Sequence, residues 1–249
     1  MSARSRKTKL PATTDGSAES PGTAARVLSQ IIEGSTRVQA PAVRAYVDRL
    51  RHARPNAGPA EIITSLEKHY VGAVMASGAA VGSAAAFPGI GTLTAMSAVA
   101  GETVLFLEAT SVFVLAVAEV HGIPAEHRER RRALVLSVLV GEDSKHALAD
   151  LIGRGRTSGG WISDGAATLP LPAVTQLNSR LLKYFVKRYT LKRGALAFGK
   201  VLPVGIGAVV GGVGNRLMGR KIVDNARQAF GPPPPRWPST LHVLPSAQP

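Results

Sequence analysis

The sequence predicts an all-α protein: a multi-helix bundle around a central Gly/Ala-rich apolar helical hairpin at residues 71–120, with disordered N- and C-terminal tails. Three observations predict it. The 45% hydrophobic share is carried by Ala, Val and Leu, with 26 glycines and only 5% aromatics, which suits close helix–helix approach better than a pleated sheet. No Lys or Arg occurs between Lys68 and Arg128. The formal charge of +14 is gathered at the other end, since Asp224 is the last acidic residue and the only one past Asp164, in a stretch holding twelve Lys and Arg.

Residues 1–24 are Ser, Thr, Ala, Gly and Pro with scattered charge, too poor in large apolar side chains to pack, and read as a disordered basic arm. The opening MSARSRKTKL lacks an apolar stretch behind its charges, so it is not a secretory signal, and cytoplasmic synthesis is expected. Residues 25–58 carry N-terminal helices and a linker: a short helix near 26–32, then one with Pro41 in its first turn and Val43, Tyr46, Val47 and Leu50 along it, ending before Pro55.

The main domain spans 59–230. Pro59 is placed to open a helix through Ile62, Ile63, Leu66 and Tyr70, which continues into 71–87 with glycine and alanine replacing large side chains. Gly78, Gly82 and Ala86 recur every four residues and form a smooth stripe on which another helix can lie. Phe87, Pro88, Gly89, Ile90 and Gly91 form the hairpin turn, because Pro88 removes a donor and biases Phe87 away from helix while the glycines permit the reversal. Thr92 caps the second arm, which runs to Val120 and stops at Gly122, with Pro124 beyond.

A charged turn at 126–132 leads into a helix at 133–140 closed by Gly141, and 153–169 reads as a loop. Pro172 opens an amphipathic helix with Val174, Leu177, Leu181 and Phe185 on one face and Arg180, Lys183 and Lys187 on another. A second Gly-rich apolar run occupies 201–214, and its Pro-Val-Gly-Ile-Gly at 203–207 echoes Pro-Gly-Ile-Gly at 88–91. The polyproline-like segment from Gly231 opens a Pro-rich tail, 231–249.

Each hairpin arm has about the ~20 residues needed to cross a bilayer. The Gly/Ala arm contributes little to insertion, however, and the second arm carries Glu102, Glu108 and Glu119, each costing ~2.5–3.5 kcal/mol near a bilayer centre. These three and His121 are the candidate buried ionisable groups, with the arginines of the C-terminal half as their expected partners. The hairpin is therefore expected to insert into or dock against a membrane, with both ends on the cytoplasmic side of a bacterial cell membrane. Arg180, Lys183, Lys187, Arg188, Lys192 and Arg193 are the candidate contacts to anionic lipid, and a membrane-protein partner is a further expectation. The alternative is a soluble helical binding module whose basic half engages nucleic acid or an acidic protein partner; no nucleic-acid module signature is visible, so lipid is preferred.

Enzymatic readings find little purchase. Without cysteine there are no disulfides, thiolate chemistry or cysteine zinc sites. No HExxH or G-x-S-x-G occurs, and Glu119 with His121, two residues apart, do not share a helix face. Gly194 to Lys200 fits GxxxxGK, but Val201 follows where a hydroxyl must bind magnesium, and no strand precedes it. No catalytic, cofactor-binding or metal-ligating residues are assigned, and no cofactor is expected.

Several strings together resemble the bacterial EcsC protein family: Gly101-Glu102-Thr-Val-Leu-Phe-Leu-Glu108-Ala, Glu119-Val-His121-Gly122, the Pro88-Gly89-Ile90-Gly91 turn, Thr175-Gln176-Leu-Asn178 and residues 203–215. The similarity covers residues 59–230. It implies a helical, membrane-associated protein with no established catalytic activity, and it carries over no active-site residues.

Overall fold

The computed structural model describes residues 40–85, 92–123, 125, 127–152, 162, 169–196 and 207–238. Among them are seven helices and no strand: α1 (Ala40–Ala53), α2 (Pro59–Ala85), α3 (Thr92–Val120), α4 (Arg128–Val140), α5 (Glu142–Ile152), α6 (Leu171–Leu196) and α7 (Gly207–Phe230). The expected disordered arm, the short helix near 26–32, the hairpin turn at 87–91 and the end of the Pro-rich tail lie outside the described residues.

Local chemistry accounts for the helix boundaries. At the start of α2 the Gly58 carbonyl accepts from the amides of Glu61 and Ile62 at 3.1 and 3.2 Å, while Pro59 occupies the first helical position, where an N–H would have no partner. The end of α3 is a Schellman motif: Gly122, at φ +70°, donates to Glu119 O and Ile123 donates to Ala118 O, at 3.0 and 2.9 Å. Gly141 closes α4 at φ +74°. A Cβ there would also stand 2.8 Å from the Asn225 amide, which itself donates to Val138 O at 2.9 Å, so the glycine lets α7 approach the end of α4. α5 begins directly after Gly141 with Glu142 and Asp143 in its first turn, where the helix dipole favours carboxylates.

Burial follows helical spacing. Ile62, Ile63, Leu66, Tyr70 and Val74 line the inner face of α2, and Val174, Leu177, Leu181 and Phe185 that of α6. α2 and α7 run antiparallel and make the most extensive helix pair. Gly212 and Gly219 lie on the contact: a Cβ on either would make an ordinary 3.7 Å contact with the side chains of Ala79 and Val71 respectively, while the packing of Gly82 and Ala86 of the expected stripe lies outside the described set. α3 lies against α2, with the rings of Tyr70 and Phe113 stacked at 4.7 Å and the Tyr70 hydroxyl 2.9 Å from Thr110 Oγ1. α1 crosses α3; α4 bridges α3 and α7 to α6; and α5 fills the angle between α4 and α6.

The bundle therefore has two ends. At the base, all seven helices share a continuous core that includes residues 113–118 of α3, buried without interruption. At the opposite end, among the described residues, α2, α3 and α7 extend past the layer in which Asn215 touches both Val74 and Glu102. α2 continues eleven residues beyond Val74, about 16 Å at 1.5 Å per residue.

Candidate functional site

An apolar surface straddles the Asn215 layer toward the three-helix end. Val104 and Leu105 on α3 are 40% and 52% exposed, and Val213, Leu217 and Met218 on α7 are 52–63% exposed. These are five of the seven exposed large hydrophobic side chains among the described residues. Gly72, Ala73, Ala76 and Ala80 leave the outer face of α2 bare of large or charged groups. The carboxylate here, Glu102, is half-buried and accepts from Asn215 Nδ2 at 2.7 Å; the same amide reaches Val74 O at 3.1 Å. This carboxylate is thus satisfied inside the bundle.

A basic collar overlaps it: along α7 Arg216 lies between Val213 and Leu217, and Arg220 follows toward the base. Arg216 and Arg220, one turn apart on α7, join Lys68 of α2 around a groove of about 660 Å³ between the two helices. Val71, Gly72, Met75 and Val223 line it as well. At its lower end Arg227 donates through Nε and Nη2 to the two carboxylate oxygens of Glu67, at 2.7 and 2.6 Å. Glu67 is 8% exposed, so the pair satisfies a carboxylate on the buried face of α2, and these hydrogen bonds hold the Arg227 pKa above its ordinary value. Glu67 and Arg227 also border a second, largely apolar groove of about 430 Å³, walled by Ile63, Phe113, Val117, Phe230 and the prolines at 232 and 233.

Residues 231–238 turn back over the base. Trp237 packs beneath the Arg51 guanidinium at 4.1 Å, and Pro238 occupies the space where a Gly122 side chain would stand. His121 faces Phe230 with ring centroids 5.3 Å apart, and burial lowers its pKa below the usual histidine value.

The glutamates expected to be buried have separate fates. Glu102 pairs with the neutral Asn215, and Glu119, half-buried, meets Arg44 of α1 at 3.6 Å, so among the described residues neither uses a C-terminal arginine. Glu108 is exposed, which corrects the expectation of burial. It shares a face with Glu119 but lies about 16 Å up the helix, whereas α1 begins four residues before Arg44, about 6 Å of possible cover. The C-terminal arginine that does meet a buried carboxylate is Arg227, with Glu67, a residue the sequence reading did not single out. Its signal was there: a carboxylate between Ile63, Leu66 and Tyr70 on an apolar helical stripe needs a partner.

Of the expected lipid contacts on α6, Lys183 is exposed and Arg180 half-buried; the side chains of Lys187, Arg188, Lys192 and Arg193 lie outside the described set. Across the base Asn178, 2% exposed, donates to the Glu129 carboxylate at 2.8 Å and to its carbonyl at 3.0 Å. Among the described residues no group of three His, Asp or Glu is arranged to hold a metal. Among the described residues one helix, α3 over Gly101–Val120, is long and apolar enough to cross a membrane, with a mean hydropathy of 1.9 and just over half of it buried in the bundle. Comparison with family models, with curated proteins and with solved structures finds no match to this chain.

Proposed function

We propose that this chain is a non-enzymatic, membrane-associated accessory protein that docks the apolar end of its α2, α3 and α7 bundle into the cytoplasmic leaflet of a bacterial membrane. The single observation that carries the reading is the exposure of five large apolar side chains, Val104, Leu105, Val213, Leu217 and Met218, toward the three-helix end, with Arg216 among them and Arg220 and Lys68 on their base side. Apolar side chains in the acyl boundary and cations at the headgroups are what an interfacial anchor needs. Docking is favoured over spanning, because residues 113–118 of α3 are core: drawing them into lipid would dismantle the base. The cations of α6, from Arg180 to Arg193, add attraction to an anionic surface. The resemblance to the EcsC family points the same way.

Co-sedimentation of the full chain with phosphatidylglycerol-containing vesicles tests it. Binding is expected to survive high salt in part, through the apolar end, and to fall sharply for V104Q/L105Q. A chain that stays in the supernatant at low salt overturns the reading. A salt-sensitive gel shift with DNA in place of vesicle binding would instead favour the nucleic-acid alternative.

A further inference from the structure

We infer that the groove between α2 and α7 holds a single phosphate ester group, that of an anionic phospholipid whose acyl chains run along the apolar end toward the membrane. This rests on the docking reading above, and names the molecule recognised at the collar.

Four observations converge. The groove, at about 660 Å³, falls within the ~300–1,000 Å³ typical of small-ligand sites. Its charge is unbalanced toward cations: Glu67 is satisfied by Arg227, leaving Lys68, Arg216 and Arg220 against Asp224. Lys68, Arg216 and Arg220 make no ion pair among the described residues. Two guanidinium groups one helical turn apart and an ammonium on the facing helix supply the fork-shaped donors and point charge that a phosphate monoanion takes.

The order of residues along the groove gives the ligand a direction. Met75, Arg216 and Gly72 lie on the side of the three-helix tip, Arg220 and Lys68 come next, and Asp224 and the pair of Glu67 and Arg227 close the far end. An amphiphile with its phosphate at Arg220 and Lys68 therefore has an apolar path beside Val71, Gly72 and Met75 toward the bilayer, with Arg216 flanking that path and Asp224 behind. A free phosphate would use the cations and leave that floor uncovered. Gly72 keeps the floor open, since a Cβ there meets nothing within 4 Å. A larger side chain at that position would occupy the groove without displacing the bundle.

Isothermal titration of the full chain with water-soluble dihexanoyl-phosphatidylglycerol, below its micelle concentration, reads the site apart from membrane docking. The R216Q/R220Q variant is expected to weaken binding about tenfold or more, as lost charge-assisted hydrogen bonds imply. Gly72→Leu is expected to abolish binding with the fold intact by circular dichroism. The control R49Q/R236Q, which removes the same charge elsewhere, is expected to bind as the native chain does. V104Q/L105Q should lose vesicle binding yet retain the soluble lipid. No titration signal from a native chain that still sediments with vesicles overturns the groove while docking stands. A signal from a chain that ignores vesicles sinks docking alone. Equal affinity for inorganic phosphate, or native binding by Gly72→Leu, overturns the lipid assignment.

Discussion

Along α3, residues 113–118 are buried without a break, whereas Val104 and Leu105, three turns nearer the N-terminus, are 40% and 52% exposed. The same helix thus serves a dry core at the base and an open apolar surface at the tip. α7 repeats the contrast: Ala226, Ala229 and Phe230 are buried, while Val213, Leu217 and Met218 are open. What differs is company. The base has α1, α4, α5 and α6 packed around the three long helices, and the tip has none of them among the described residues. Apolarity along a helix therefore does not reveal what covers it.

Substitutions that act at one end and spare the other put that contrast at risk. The largest loss is expected from Leu115→Ala in the base, where removing a 2%-exposed side chain should cost ~2–5 kcal/mol in urea unfolding. Gly141→Ala follows, because its φ of +74° and the Asn225 amide 2.8 Å from the new Cβ should together cost roughly 1–3 kcal/mol by the same assay. Arg227→Ala leaves the buried Glu67 carboxylate dependent on water; with the arginine side chain 62% exposed, the loss should be only about 1–2 kcal/mol.

His121 gives a smaller, pH-dependent effect. Burial depresses its pKa in the folded state, so the unfolded chain binds the proton more readily. Its contribution is fully present above the ordinary histidine value of 6.5 and is lost as pH falls through the lower folded value. His121→Phe should flatten the decline in melting temperature on acidification, and an unchanged profile would remove His121 from the account.

The smallest stability effect belongs to the tip. V104Q/L105Q, despite changing two large apolar residues, should alter unfolding stability by no more than ~0.5 kcal/mol, with vesicle binding lost. A loss comparable to that of Leu115→Ala would mean that this surface is core, and the contrast between the two ends would fail.

Periodicity and punctuation made most helices legible beforehand. Pro41, Pro59 and Pro172 stand in the first turns of α1, α2 and α6, Gly122 and Gly141 follow α3 and α4, and the four residues chosen for the inner face of α6 are all buried. The two Pro-Gly-Ile-Gly-like strings each lead into a helix, α3 at Thr92 and α7 at Gly207. α5 escaped notice because eleven residues with few large apolar positions, Leu148 and Leu151 among them, give a weak repeat. The return of Trp237 to Arg51 was hidden because a proline run signals only that regular structure ends.

By itself, then, the sequence determined the helical class, the boundaries of several helices and the segregation of charge from the hairpin, since these depend on residues within a few turns of one another. Tertiary structure alone decided which apolar residues are core and which glutamate meets which donor. Glu119 reaches back to Arg44, Glu102 forward to Asn215, and Glu67 across the chain to Arg227, while Glu108 meets solvent. Pairing and burial are properties of where helices end beside one another in space. A helical repeat fixes the face on which a side chain stands, not whether a neighbouring helix is long enough to cover it.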